Sequence, residues 1–196
     1  KRAGERAVRK VGAKSIAGGK MPVILDPRVS ASLIGHLMGA ISGTAIARRT
    51  SFLLDDEGKA VFAPEITIYD DPHRMRALGS RPFDGEGLPT ARRALVEGGV
   101  LTGWLCDAAS ARQLGRTPTG HAGFGGGITG SNLYMEPGAL SPAELMADIV
   151  DGVYITELIG MGVNPVTGDY SRGAAGFLIK NGVLGEPVNE ITSAGK

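Results

Sequence analysis

Residues 176–188 read GFLIKNGVLGEPV, two apolar arms on either side of Asn181-Gly182. Asn-Gly tolerates the positive φ angles of a two-residue turn whose twist matches that of the flanking strands. The pattern therefore predicts an antiparallel β-hairpin. Residues 51–63 and 94–105 also have two apolar arms around a turn, so they predict two further hairpins.

The clearest helical pattern lies at residues 30–47, with Ser30 as its predicted N-cap. Helical spacing places one set of side chains on a continuous apolar face, namely Leu33, Ile34, Leu37, Met38 and Ile41. Gly35, Gly39 and Gly43 fall together on another side and leave a shallow groove. We therefore expect this helix to be covered on both sides.

Two other helices are predicted, one near each end of the chain. Residues 2–17 have the spacing of a short amphipathic helix. Ser141, Pro142 and Glu144 combine an N-cap, a proline at the first helical position and a capping-box glutamate, which predicts a helix at 142–151. Strands outnumber helices and do not alternate with them. The fold class is therefore α+β, a mainly antiparallel β-sheet with a few packed helices.

Residues 115–132 contain Gly, Thr and Ser in place of apolar residues. This composition predicts a long mobile loop. The phosphate-binding pattern GxxxxGK[ST] is absent from the loop, so a nucleotide site is not indicated.

Composition and charge exclude several classes of protein. The 196 residues include 21 Lys and Arg against 20 Asp and Glu, and a net charge of +1 does not favour nucleic acid as a partner. No apolar run reaches the roughly 18 residues of a membrane-spanning helix. Cys106 is the one cysteine, so we expect it to pack as a small apolar residue in a cytoplasmic protein without internal disulfides.

Several longer strings resemble the TldD/PmbA family, whose members are described as modulators of DNA gyrase and are also classed as peptidases. The resemblance is carried by DPRVSASLIGHLMGAISGTAIARRTSFL (26–53), DDPHRMRALGSRPFDGEG (70–87), SNLYMEPG (131–138) and TELIGMGVNPVTGDYSRGAAGF (156–177). The last string is more similar to the PmbA branch, also called TldE, than to the TldD branch.

The resemblance also implies a domain organisation. Family members are about twice as long as this chain and have an N-terminal α/β domain. We therefore expect residues 1–20 to be a linker or a helix from a missing N-terminal domain. Residues 21–196 would be the family's C-terminal domain, truncated at its C-terminus.

TldD-type members carry HExxxH on the helix that corresponds to residues 30–47, and a later cysteine completes their set of zinc ligands. Here Ala31 replaces the first histidine, Ser32 replaces the glutamate, and His36 alone matches. A catalytic zinc site needs three protein ligands and a base. We therefore predict no catalytic residue, no metal ligand set and no cofactor in this chain, with zinc expected in a TldD-like partner.

Five residues are candidates for contacts in a peptide-binding cleft: His36, Asp84, Glu86, Asp169 and Arg172. Each has a structural alternative. His36 could be a hydrogen-bonded helix residue, and Asp84-Gly85-Glu86 could form a solvated turn. Asp169 and Arg172 could pair within the tight loop that Asn164-Pro165 and Thr167-Gly168 predict, or present one charge to a peptide.

The leading hypothesis is a noncatalytic partner subunit of a TldD/TldE-type metalloprotease that acts in peptide proteolysis and maturation. Its expected partners are a TldD-like catalytic subunit and peptides, with a homodimer when that subunit is absent. One alternative is an independent hydrolase that uses Asp84, Glu86 and His36. Another is an interaction module that modulates DNA gyrase.

Overall fold

The computed structural model describes residues 2–195. The chain divides into two compact units. The terminal unit comprises the chain up to Leu33, Ala139–Asn164 and the chain from Gly168 onward; the central unit comprises Ile34–Gly138 and Pro165–Thr167. The elements in chain order are α1 Arg2–Val8, β1 Val23–Leu25, α2 Pro27–Ala40, α3 Gly43–Ala47, β2 Ile68–Asp70, β3 Arg93–Glu97, β4 Val100–Leu101, α4 Ala108–Leu114, β5 Leu133–Met135, α5 Pro142–Ala147, β6 Asp151–Ile159, β7 Tyr170–Lys180 and β8 Val183–Gly195.

The terminal unit contains a four-stranded sheet in the order β1-β6-β7-β8. The β6-β7 and β7-β8 pairs are antiparallel, whereas β1 is parallel to β6. Asn181 and Gly182 connect β7 to β8 with φ angles of 48° and 78°, which confirms the predicted hairpin. The core of this unit is a cluster of buried side chains, namely Val29, Val153, Ile155, Ala174 and Val188.

The central unit contains a second four-stranded sheet in the order β4-β3-β2-β5, antiparallel throughout. Gly98 and Gly99 form the β3-β4 turn with positive φ angles, so the hairpin predicted at 94–105 is confirmed. A larger apolar cluster packs against this sheet and includes Leu37, Ile41, Ile46, Leu95, Val96, Leu101, Trp104 and Leu105. The α+β class with mainly antiparallel sheets is therefore confirmed.

The hairpin predicted at residues 51–63 is wrong, because the segment contains turns and no strand. The backbone N–H groups of Val61 and Phe62 both donate to Gly99 O, and Ala60 bridges Val100. This segment therefore bonds partly to the β3-β4 hairpin and partly within its own turns, and it does not form a hairpin of its own.

The helix predicted at residues 30–47 is two helices, α2 and α3, and α2 begins at Pro27, earlier than expected. Asp26 is the N-cap of α2, since the Asp26 carboxylate accepts from Arg28 N at 3.0 Å. Between the helices, Gly43 N donates to Leu105 O at 2.7 Å and Leu105 N donates to Ile41 O at 3.0 Å. These long-range bonds replace helical bonds and account for the break.

The prediction that this helix is covered on both sides is wrong for part of the glycine groove. A Cβ added at Gly35 or Gly39 would meet no other atom within 4 Å among the described residues. One added at Gly43 would lie 2.7 Å from Ser110 Oγ and 2.9 Å from Cys106 Sγ. Close packing therefore occurs at Gly43 only.

The helices near the two ends are shorter than predicted. Helix α1 ends at Val8 instead of near residue 17, because Lys14 pairs with the edge of β8: its N–H donates to Pro187 O and its carbonyl accepts from Asn189 N. Helix α5 ends at Ala147 instead of 151. Its predicted start is confirmed, since Ser141 and Glu144 form the reciprocal capping box.

Residues 115–132 do not form the loose loop that their composition predicts. His121 and Ala122 are buried, Ala122 pairs with Ile128, and Thr129 N donates to His121 O. A Cβ at Gly85 would lie 2.3 Å from Gly123 O, so the segment packs closely against a neighbouring turn. Glycine here permits close backbone approach.

Candidate functional site

Helix α2 carries Ala31, Ser32 and His36, the three positions that the resemblance aligns with a zinc motif. Ala31 is exposed and offers no ligand atom. Ser32 is partly buried, and its hydroxyl donates to Val29 O at 2.7 Å, one turn earlier in the same helix. His36 is partly buried and provides the one imidazole of the three positions.

These residues do not fit a catalytic zinc ion. One imidazole leaves two ligand positions empty, and a serine hydroxyl bonded to a carbonyl is not a general base for zinc-bound water. Across residues 2–195, no group of three His, Cys, Asp or Glu side chains is close enough to hold a metal ion. Asp84, Glu86 and His36 therefore do not form the metal site that an independent metallohydrolase would need.

Cys106 lies in the core of the central unit and is 1% exposed. Its backbone N–H donates to Thr119 Oγ1 at 2.8 Å. Burial raises the pKa of the Cys106 thiol, although a hydrogen bond with Ser110 acts in the opposite direction. The thiol is therefore neutral and packs as a small apolar side chain, as predicted.

Asp84 is 1% exposed, so the prediction of a solvated turn is wrong at this residue. Its Oδ1 accepts from Glu86 N and Leu88 N, and its Oδ2 accepts from Ala122 N, at 2.9–3.0 Å. Burial tends to raise the pKa of Asp84, but these backbone hydrogen bonds outweigh it and keep the pKa below its usual value. Asp84 therefore holds the 84–88 turn against residue 122.

Glu86 is exposed, and its carboxylate accepts from Ala108 N at 2.8 Å at the start of α4. Asp107, the N-cap of that helix, accepts from Ser110 N at 2.8 Å. The two acidic side chains thus satisfy different N–H groups in the first turn of α4. Contact of Asp84 or Glu86 with a peptide remains a prediction.

Asp169 and Arg172 lie in the terminal unit, at a tight turn before and within β7. The turn is closed by Asn164 N donating to Asp169 O and by Gly168 N donating to Asn164 O, both at 2.9 Å. Arg172 Nη2 donates to Leu158 O at 3.4 Å on the adjacent strand β6. The predicted tight loop is confirmed, and its presentation of a charge to a peptide stays a prediction.

The strongest buried polar cluster was not identified from the sequence. Asp70 and His121 are 1% and 2% exposed, and His121 Nε2 lies 3.1 Å from Asp70 Oδ2. His121 Nδ1 lies 2.7 Å from the carbonyl oxygen of Thr119. The Thr119 hydroxyl oxygen also lies 3.0 Å from Nδ1, so both ring nitrogens of His121 have hydrogen-bond partners in the core.

Ser131 completes this cluster, because its backbone N–H and its hydroxyl both donate to Asp70 Oδ1 at 2.7 Å. Burial tends to raise the pKa of Asp70, but the hydrogen bonds from His121 and Ser131 outweigh it and lower the pKa. The cluster joins the end of β2 to the 115–132 segment and to the start of β5. The one sequence signal of this cluster was His121 itself, an isolated histidine beside Ala122 in a polar stretch.

The family follows from direct comparison with known proteins. Residues 18–196 match the family described as PmbA/TldA metallopeptidase C-terminal domain. Metalloprotease PmbA of Escherichia coli O157:H7 is 43% identical over 190 residues, which cover 97% of this chain and 41% of that protein. The chain belongs to the PmbA/TldD family.

Other PmbA/TldD relatives agree in sequence and in fold. The Metalloprotease PmbA homolog of Haemophilus influenzae is 40% identical over 98% of this chain and 42% of its own length. The crystal structure of TldE from Thermococcus kodakarensis has a TM-score of 0.84 and 30% identity, over 97% of this chain and 46% of that chain. A Bacteroides thetaiotaomicron crystal structure, described as a candidate modulator of DNA gyrase, has a TM-score of 0.91 and 36% identity, over 99% and 43%.

This PmbA/TldD chain spans about two fifths of the length of the curated relatives it matches, 41% and 42% for the first two. The branch indicated by the sequence, PmbA or TldE, is confirmed by the names of these relatives. Among residues 2–195, none of the helices combines the length and the apolar character needed to cross a membrane.

Proposed function

We propose that this chain is part of a noncatalytic PmbA/TldE subunit that assembles with a TldD-like metallopeptidase and acts with it on peptides. The observation that carries the proposal is on α2, where Ala31 and Ser32 occupy the positions of a zinc ligand and a catalytic base. The catalytic zinc ion would then be held by the TldD-like partner.

Two further features support a binding role. Asp84 and Glu86, the acidic pair that a hydrolase could have used, are engaged with backbone N–H groups in local structure. Asp84 accepts three such bonds, which keep its pKa below the usual value and make it a weak base. The family relationship supports peptides as the ligand, since curated relatives are named metalloproteases.

The proposal extends to location and assembly. The subunit works in the cytoplasm, where a lone reduced cysteine such as Cys106 is ordinary. It pairs with its TldD-like partner and forms a homodimer when that partner is absent. Closed two-subunit assemblies are the commonest oligomers among soluble proteins.

Metal content and peptide cleavage test the proposal. The full-length protein containing this chain, purified alone, should hold no stoichiometric zinc and leave an unfolded peptide intact. Mixed with its TldD-like partner, it should enter a complex that contains zinc and cleaves the peptide. Stoichiometric zinc together with cleavage by the isolated protein would overturn the proposal.

A variant pair tests whether Ala31 and Ser32 of α2 are the reason why this chain does not bind zinc. Ala31→His/Ser32→Glu restores the motif residues, and Ala31→Ser/Ser32→Ala serves as its matched control. Zinc affinity measured by competition with a chromophoric chelator should rise for the first variant and stay unchanged for the second. If the unaltered protein already binds zinc as tightly as the first variant, the residues at positions 31 and 32 do not prevent zinc binding.

A further inference from the structure

The outward face of the central sheet carries a cluster of two tyrosines and two arginines, which we call the Tyr-Arg cluster: Tyr69, Arg74, Arg92 and Tyr134. Ile68 and Asp70 of β2 are buried, so Tyr69 between them points to the opposite face. Tyr134 lies directly across from Tyr69 on β5, and the two ring centroids are 5.6 Å apart.

Each arginine of the cluster is held over an aromatic ring. The guanidinium carbon of Arg92 lies 3.6 Å from the Tyr69 centroid, and that of Arg74 lies 4.6 Å from the Tyr134 centroid. Arg92 Nε and Nη2 also donate to Tyr134 Oη at 3.3 and 3.2 Å. Stacking and these hydrogen bonds restrict both side chains before any ligand binds.

The guanidinium groups still have donors to offer. Arg92 keeps N–H groups on both terminal nitrogens, and Arg74 forms no side-chain hydrogen bond within residues 2–195. In the same part of the chain, neither arginine has a carboxylate at ion-pair distance. A fixed guanidinium edge without an acidic partner matches the paired oxygens of a carboxylate.

A groove of about 460 Å³ begins at Arg92. The groove is also lined by Pro89, Arg93, Pro118, Thr119 and Gly120. Its prolines provide apolar walls beside the Arg92 guanidinium. A free inorganic anion needs no such walls, whereas a peptide side chain beside a carboxylate would pack against them.

We propose that the Tyr-Arg cluster and this groove bind an acidic peptide segment through its Asp or Glu carboxylates. Charge complementarity supports a carboxylate-bearing ligand. Single-stranded nucleic acid fits less well, because the guanidinium groups already cover the tyrosine faces on which bases would stack. This site lies outside the five residues considered for the cleft, and it does not depend on the absence of zinc from the chain.

Fluorescence anisotropy with a fluorescein-labelled peptide of alternating Glu and Leu tests the site. The chain should bind this probe saturably and bind the matching Gln-Leu peptide about tenfold more weakly, the size of one charged hydrogen-bond pair. Arg92→Gln and Arg74→Gln should each weaken binding of the Glu-Leu peptide by about tenfold. Arg92→Lys should also weaken it, because lysine keeps the charge and loses the planar fork.

Arg48→Gln is the matched control. Arg48 is exposed in the same unit, and its substitution removes the same charge. It should leave the affinity unchanged, and thermal melting should confirm that every variant is folded. Absence of saturable binding, or an equal loss in Arg48→Gln, would overturn the proposal. Two other results would also overturn it. If oligothymidylate bound as tightly as the Glu-Leu peptide and depended on Arg92, the occupant would be nucleic acid. If Arg92→Gln changed only self-association, the occupant would be a second copy of the chain.

Discussion

His36 and His121 differ in what surrounds them more than in what the sequence says about them. His36 stands in the frame of a known zinc motif, yet it is partly exposed on α2 beside positions that hold Ala31 and Ser32. His121 stands in a glycine-rich stretch without any motif, yet it is buried with its Nε2 atom 3.1 Å from Asp70 Oδ2. A motif reports ancestry, whereas the neighbours in space decide the chemistry of a side chain.

The largest effect should come from breaking the buried pair. Asp70→Ala leaves His121 Nε2 and both Ser131 donors without their buried partner, so the free energy of unfolding should fall by about 3–5 kcal/mol. His36→Ala should cost about 1 kcal/mol or less, because that side chain is partly exposed. Urea denaturation at pH 7 measures both. Equal losses would remove the distinction between the two histidines.

A second contrast, of intermediate size, concerns two glycines of the segment 30–47. Gly43→Ala should destabilise by about 1–3 kcal/mol, because the new methyl group overlaps Ser110 and Cys106. Gly35→Ala should stabilise by about 0.5–1 kcal/mol, since its position in α2 is open and alanine favours helix. Thermal unfolding of the two variants compares them. Destabilisation by Gly35→Ala would show that this side of α2 is packed.

The pH dependence of stability sharpens the same comparison. The folded pKa of Asp70 is below its unfolded value of about 3.9, so its contribution is fully present above that pH and is lost as the pH falls through the folded pKa. Asp70→Asn should therefore flatten the acid side of the stability curve. Urea midpoints measured from pH 5 downward provide the test, with His36→Ala retaining the slope of the unaltered chain. Parallel acid slopes for Asp70→Asn and the unaltered chain would contradict it.

The smallest effect should come from an exposed ion pair. Arg116 and Glu57 form two hydrogen bonds, but both side chains are partly exposed. Arg116→Gln should cost about 1 kcal/mol or less, and 1 M NaCl should reduce the difference further. Denaturation at low and high salt measures it. A loss as large as that of Asp70→Ala would mean that burial does not separate the two pairs.

Local sequence signals predicted the features that depend on a few adjacent residues. Asn181-Gly182 identified the β7-β8 hairpin, because its backbone must take positive φ angles, and the two apolar arms of residues 94–105 identified the β3-β4 hairpin. Ser141 and Glu144 identified the start of α5 through their reciprocal hydrogen bonds. The resemblance carried by four strings identified the family.

Features that depend on distant residues were missed. The break between α2 and α3 arises from bonds with Leu105, and the early end of α1 arises from bonds of Lys14 with Pro187 and Asn189. Similarly, the burial of Asp84 was missed, because it involves a hydrogen bond from Ala122, which is far along the chain. Composition could not reveal that the 115–132 segment is packed, since glycine favours both mobility and close approach.

The amino-acid sequence alone determined the family, the α+β class and the Asn181-Gly182 turn, and it places Ala31 and Ser32 where the resemblance implies two zinc-motif groups. Each of these depends on residue identity or on neighbours within a few positions. Only the tertiary structure decided that His121 is buried beside Asp70, and that two arginines lie over Tyr69 and Tyr134. Such environments are created when segments far apart in the chain pack together and exclude water. No local sequence pattern specifies these tertiary contacts.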